Sequence, residues 1–124
     1  FVHALGSAAL NFDSMVPRLT LVMPYVIRSI AIARHFDKQI VTEAIPYCFL
    51  KGYEGHVSEQ VMPVMKIFEH DHVVANFTES RLTEGKLKGP DCPRCVYYEA
   101  CEGSWKEYPQ AFGWDEFVPV SKER

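Results

Sequence analysis

Three of the chain's four cysteines fall within ten residues, in GPDCPRCVYYEACEGSWKEYP over 89–109: Cys92, Cys95 and Cys101. The fourth, Cys48, stands alone in IPYCFLKGYEG. Cys92-Pro-Arg-Cys95 sets two thiols on one tight turn, where backbone N–H groups aimed at sulfur favour the thiolate. Pro90 and Pro93 stiffen that loop. Cys101 adds a third sulfur after five more residues. Three thiolates on one loop can hold a soft metal, and a fourth ligand closes a structural site. Cys48 is the candidate fourth. Recruiting it closes a loop of 43 intervening residues. The length-dependent cost is about 3–4 kcal/mol, against roughly 10–16 kcal/mol from a structural metal in a small domain.

Zinc and an iron–sulfur cluster both accept four thiolates. Structural zinc usually shows two CxxC knuckles, one for each half of its tetrahedron, and this chain has one. The scattered spacing therefore places an iron–sulfur cluster ahead of zinc, with a reduced-thiol core third. Two disulfides fit the count of four but not the spacing, because Cys92 and Cys95 would close a very tight ring. His56, His70 and His72 are further candidate zinc ligands, although EHDH over 69–72 reads as charged surface.

The elements that must position these thiols are few. The chain has 124 residues, enough for one domain, with net charge −3 and no basic stripe, which argues against a nucleic-acid partner. The apolar run LTLVMPYVI is broken by Pro24, ended by Arg28 and too short to span a bilayer. FVHAL reads as a short buried strand, and 7–20 as irregular. Val26, Ile30, Ala33 and Phe36 share one helical face, so a helix is expected over about 22–37, with Pro24 in its first turn. QIVTEAI, 39–45, reads as a second strand. The result is a βαβ unit, which needs neighbours to cover both faces of its sheet. Beyond Cys48 the pattern predicts a glycine loop, a short helix near 58–61 and one or two short strands before a turn at TEGK. A short helix ended by Gly113 and an extended tail follow. The orphan βαβ unit and the start at Phe1 lead to the expectation that the chain is a piece of a longer protein. The first ten residues lack the basic region of a signal peptide, so a cytoplasmic location is expected.

The segment CPRCVYYEACEGSWKEYPQAFGWDEFVPV resembles the C-terminal cluster region of radical SAM enzymes with a SPASM or shortened "twitch" extension. The resemblance rests on Cys92, Cys95, Cys101, Gly103, Trp105, Tyr108, Gly113 and Glu116. IPYCFLKGYE resembles the segment after the sixth barrel strand, which supplies an earlier cluster cysteine. HALGSAALN and VPRLTLVMP resemble the stretch between the fifth strand and the next helix. The likeness covers roughly 1–120. It implies an α/β fold: residues 1–47 as the C-terminal strand–helix–strand piece of a partial TIM-type barrel, and 48–124 as a small, loop-rich α+β region binding an auxiliary cluster.

Two departures bear on function. The full SPASM pattern has another cysteine where Trp105 stands, so four cysteines ligate one four-iron four-sulfur cluster at most. The family's Cys-x3-Cys-x2-Cys, which holds the SAM-cleaving cluster, is absent, as is its glycine-rich SAM motif. The resemblance implies that SAM and a second four-iron four-sulfur cluster belong to a missing N-terminal barrel, the partner of this chain. It implies that Val41, Ala44 and Ile45 lie on the SAM side of that barrel, with ordinary sheet core as the alternative. His3 and Glu43 also fall on the expected strands. Lys86, Lys88 and Arg94 either tune a cluster by charge or lie in solvent. Tyr97, Tyr98, Trp105, Tyr108, Phe112 and Trp114 read as an aromatic wall around the cluster. The implied function is electron transfer through the auxiliary cluster during radical modification of a substrate, with a peptide as the preferred class. The alternative is a small zinc-ribbon-like interaction module in which the same four cysteines are structural and nothing is catalysed.

Overall fold

The computed structural model describes residues 1–122. It is a mixed α/β structure in which one long helix backs a loop-rich half. In chain order come α1 (Ser7–Leu10), α2 (Phe12–Met15), the long α3 (Leu19–His35), β1 (Ile67–Phe68), β2 (Val73–Val74), α4 (Phe77–Ser80), β3 (Lys86–Leu87), β4 (Ser104–Trp105) and α5 (Glu107–Phe112). Short 3-10 turns at Tyr47–Phe49, Glu54–His56, Ser58–Gln60 and Cys92–Arg94, and a π turn over Arg81–Gly85, carry much of the rest. The strands form two separate antiparallel pairs, β1 with β2 and β3 with β4. In the second pair Lys86 faces Trp105 and Leu87 faces Ser104.

Helix α3 forms near the expected place, but its buried residues are Leu19, Met23 and Ile30; of the expected face, Val26 and Ala33 are half-buried and Phe36, past the helix end, is 64 % exposed. It begins three residues earlier than expected, so Pro24 lies inside the helix rather than in its first turn. Lacking an N–H, Pro24 leaves the Thr20 carbonyl without its helical partner. The early start has a distant cause. Tyr108 and Glu116 satisfy the first free N–H groups of α3: Leu19 N–H donates to the Tyr108 hydroxyl at 2.7 Å, and Thr20 N–H to Glu116 Oε1 at 3.0 Å. A carboxylate at a helix N-terminus also complements the helix dipole.

The expected βαβ unit does not form among the described residues. Residues 1–5 contain no strand, and 39–45 carry a single isolated parallel bridge, Thr42 to Val57. A strand needs a partner for its alternating N–H and C=O groups, and no other strand among the described residues runs alongside these. Ala44, near the end of that stretch, has φ 58, which breaks extended geometry outright. Residues 7–20, expected to be irregular, contain the single-turn helices α1 and α2 instead.

Two core clusters share α3. Met23 and Ile30 pack with Ile45, Tyr47, Leu50 and Val57, and Tyr97 and Cys101 lean on this group. Leu19 packs with Ala4, Val16, Tyr108 and Phe117, against which Cys48 and Trp114 lie. The other side of α3 is uncovered: Leu21, Tyr25 and Val41 are more than half exposed and, with Phe1 and His3, line an apolar groove of about 710 Å³. By length and composition alone the helical stretch Phe12–His35 is apolar enough to cross a membrane, but here Leu19, Met23 and Ile30 are core residues.

Candidate metal centre

Each cysteine sits on a tight turn. Cys48 is the middle residue of the Tyr47–Phe49 turn, and Cys92 opens the Cys92–Arg94 turn. Cys95 N–H donates to the Cys92 carbonyl at 2.9 Å, and Cys101 N–H to the Tyr97 carbonyl at 2.8 Å. Pro46 and Pro93 fix φ at the turns that present Cys48 and Cys92. Tyr47 stacks on Tyr97, ring centroids 4.6 Å apart and 15° from parallel. That stack ties the Cys48 segment to the loop between Cys95 and Cys101.

All four cysteines line one small cavity of about 30 Å³. Pro46, Leu87, Trp114, Phe117 and Pro119 complete much of its wall. All four thiols are free and partly buried. Yet no group of three or more His, Cys, Asp or Glu side chains that could hold a metal ion occurs among the described residues. A tetrahedral zinc site needs all four Sγ atoms about 2.3 Å from a single centre.

Two backbone donors point at the sulfurs. Gly89 N–H donates to Cys92 Sγ at 3.1 Å and Gly103 N–H to Cys101 Sγ at 3.3 Å. Both positions exclude a side chain. A Cβ on Gly103, whose φ is 89, would lie 2.2 Å from the Leu87 carbonyl oxygen, and one on Gly89 would lie 2.6 Å from the Trp114 ring.

Burial pushes the Cys48 thiol up to about 12, and the neighbouring Cys101, Cys92 and Cys95 push the same way. Burial likewise raises the Cys92 thiol, although the Gly89 N–H opposes it. Burial and the neighbouring sulfurs thus favour the protonated form of Cys48 and Cys92. A bound cationic centre would reverse that balance at Cys48 and Cys92.

The other expected site residues are scattered. His56 is engaged on both ring nitrogens: Nδ1 lies 2.8 Å from the Ile40 carbonyl oxygen and Nε2 lies 2.8 Å from Arg34 Nη2. His70 and His72 are exposed beside Asp71 in the β1–β2 turn. Val41 and Ile45 line the apolar groove with Glu43 and His3, whereas Ala44 is turned away from it, its N–H donating to Glu59 Oε1 at 2.8 Å. Of the aromatic wall, Tyr98 and Trp114 line the cysteine cavity. Tyr108 and Phe112 pack with Phe117 or Phe12 behind it. Trp105 lies under Lys86 and against Gly85.

Lys86 is the residue whose role its sequence context hides. It is not solvated: its side chain is 2 % exposed, and Nζ donates to Glu59 Oε1 at 2.9 Å and Glu102 Oε2 at 2.8 Å. Arg81, equally buried, grips Glu102 through Nε at 3.0 Å and Nη2 at 2.8 Å. Lys88 and Arg94 lie at the surface, bonded to the Tyr98 carbonyl and to Asp91. No family model, curated protein or solved structure matches the chain.

Proposed function

We propose that the chain is the C-terminal part of a radical SAM enzyme, in which Cys48, Cys92, Cys95 and Cys101 hold one auxiliary four-iron four-sulfur cluster. The observation that carries this reading is the convergence of four thiols, from segments 43 residues apart, on one cavity. The single CxxC knuckle and the resemblance favour a cluster over a lone zinc ion. Such a cluster supplies one-electron transfer, and with four cysteine ligands it has no open iron for a substrate.

This chain's own residues then have defined tasks. The Gly89 and Gly103 N–H groups stabilise sulfur charge and so raise the reduction potential. Trp114, Phe117 and Pro119 keep water from the sulfurs. The uncovered face of α3 and residues 40–45 supports the reading that a barrel packs there, since apolar surface of this extent is normally covered or functional. In that setting Val41 and Ile45, rather than Ala44, face the SAM side. The missing barrel supplies the SAM-cleaving cluster, and a peptide in the cytoplasm is the substrate class taken from the resemblance alone.

The test is metal analysis after anaerobic purification and reconstitution. About four irons and four sulfides per chain with a brown charge-transfer band are expected. One tightly held zinc and no colour would replace this reading with the structural zinc module.

A further inference from the structure

We propose that Lys86 is a positioning residue that brings Cys48 into the same cavity as the three cysteines of the 92–101 loop. Lys86 joins two segments that are distant in sequence. Its Nζ bridges Glu59 Oε1 at 2.9 Å and Glu102 Oε2 at 2.8 Å, and all three side chains are nearly buried, at 2 %, 7 % and 11 % exposed. Glu102 directly follows Cys101. The same Glu59 oxygen accepts the Ala44 N–H at 2.8 Å, and Ala44 lies four residues before Cys48. Ala44 has φ 58, a backbone conformation that an L-residue adopts only when its surroundings over-determine it. Lys86 itself stands on β3, three residues before Gly89, whose N–H donates to Cys92 Sγ. One ammonium group therefore bridges the carboxylate that holds Ala44, ahead of Cys48, to the carboxylate that follows Cys101.

The charges close on themselves. Lys86 and Arg81 oppose Glu59 and Glu102, and Arg81 holds Glu102 with two parallel hydrogen bonds, the geometry that fixes a carboxylate most firmly. A buried ion pair of this kind is a poor source of net stability but a good source of register, because breaking it strands the remaining charge. Without Lys86, Glu59 and Glu102 confront each other across a dry space. They relax by parting, and Cys48 moves away from Cys101. The Tyr47–Tyr97 stack also joins the two segments but carries no charge between them, and Gly103 shapes a single turn. The clamp acts on the thiols whether or not metal is present; its relevance to cluster binding rests on the reading proposed above.

The experiment uses the metal-free, reduced 124-residue chain and dibromobimane, which fluoresces once both its arms have alkylated thiols. Peptide mass mapping then assigns the bridged pairs. Bridging of Cys92 to Cys95, which share one turn, is the internal control. In the wild type, bridges that include Cys48 are expected. Lys86→Met should lower them at least fivefold relative to Cys92–Cys95, with circular dichroism unchanged, and Lys86→Arg should restore at least half. Unchanged Cys48 bridging in folded Lys86→Met, or no Cys48 bridging in the wild type, overturns the proposal. Should Lys86→Met not fold, Glu59→Gln decides: it keeps an oxygen for Ala44 N–H and drops the charge that Lys86 needs. A loss of twofold or more supports the clamp, and no change overturns it. Iron uptake by the wild type is measured separately. A chain that takes no iron but whose Cys48 bridging depends on Lys86 removes the cluster and keeps the clamp; the converse removes the clamp alone.

Discussion

The Tyr108 hydroxyl donates to Glu116 Oε2 at 2.5 Å while accepting the Leu19 N–H at 2.7 Å. Two residues at the far end of the chain thus start its longest helix. Thr20 gives Glu116 two more hydrogen bonds, and Arg18 adds an ion pair at 3.4 Å. Tyr108→Phe removes one hydroxyl and leaves a buried N–H and a buried carboxylate oxygen short of partners. The expected loss is about 1–3 kcal/mol, read as a lower urea midpoint with an unchanged slope. A substitution without effect would show that α3 starts without this help.

Glu116 should also make stability depend on acid. Burial alone would raise its carboxyl, but hydrogen bonds from Thr20 and Tyr108, with Arg18 nearby, outweigh it and hold the group below its ordinary 4.5. Its contribution is therefore complete above that value. It is lost as pH falls from 4.5 through the lower folded value, because the unfolded chain takes up the proton first. Glu116→Gln should cost about 0.5–2 kcal/mol at neutral pH, the scale of a lost helix cap. The gap from wild type should narrow as the solution is acidified through that window. A gap independent of pH would mean that the charge on Glu116 does nothing for α3.

Cys48→Ser separates ligand from core. Cys48 packs with the second core cluster and also lines the cysteine cavity. As a ligand, its loss should lower the iron retained after reconstitution and alter the visible spectrum, while Cys92→Ser, Cys95→Ser and Cys101→Ser each abolish the colour. A normal spectrum with full iron in Cys48→Ser would make Cys48 a buried small hydrophobe and leave one iron open.

How much of this was legible in the sequence depends on how far apart the causes lie. That α3 is a helix is written in its own 3.6-residue spacing and was readable, but of the expected face only Ile30 is buried, since Phe36 falls past the helix end and is 64 % exposed. Its start was not, because the groups that cap it lie about ninety residues away, near the other end of the chain. The close spacing of Cys92, Cys95 and Cys101 announces a site on one loop. That Cys48 lines the same cavity depends on Tyr47 meeting Tyr97 and on Glu59 meeting Lys86, pairs that no local pattern encodes. Lys86 looked like any surface lysine, since its neutralising partners Glu59 and Glu102 are 27 and 16 residues distant. The β-branched run 39–45 misled for the opposite reason. Its composition suits a strand, but composition supplies no neighbour, and only Thr42 found one.

Gly103 and Gly113 offer the sharpest contrast between a glycine needed for conformation and one needed for space. Both have positive φ, 89 and 75. Around Gly113 nothing lies within 4 Å of an added Cβ, so Gly113→Ala carries only backbone strain, about 1–3 kcal/mol. At Gly103 the same strain is joined by a Cβ 2.2 Å from the Leu87 carbonyl oxygen, on the strand pair β3–β4. Relieving that contact forces β4 off β3 and draws the Gly103 N–H away from Cys101 Sγ. Overpacking adds about 1–3 kcal/mol. Gly103→Ala should therefore be the less stable variant in urea. It should also shift the potential of the reconstituted centre downward, since a donor to sulfur is lost, whereas Gly113→Ala leaves the potential where it was. Equal losses of stability with no difference in potential would mean that the Gly103 N–H contributes nothing to the sulfur it faces.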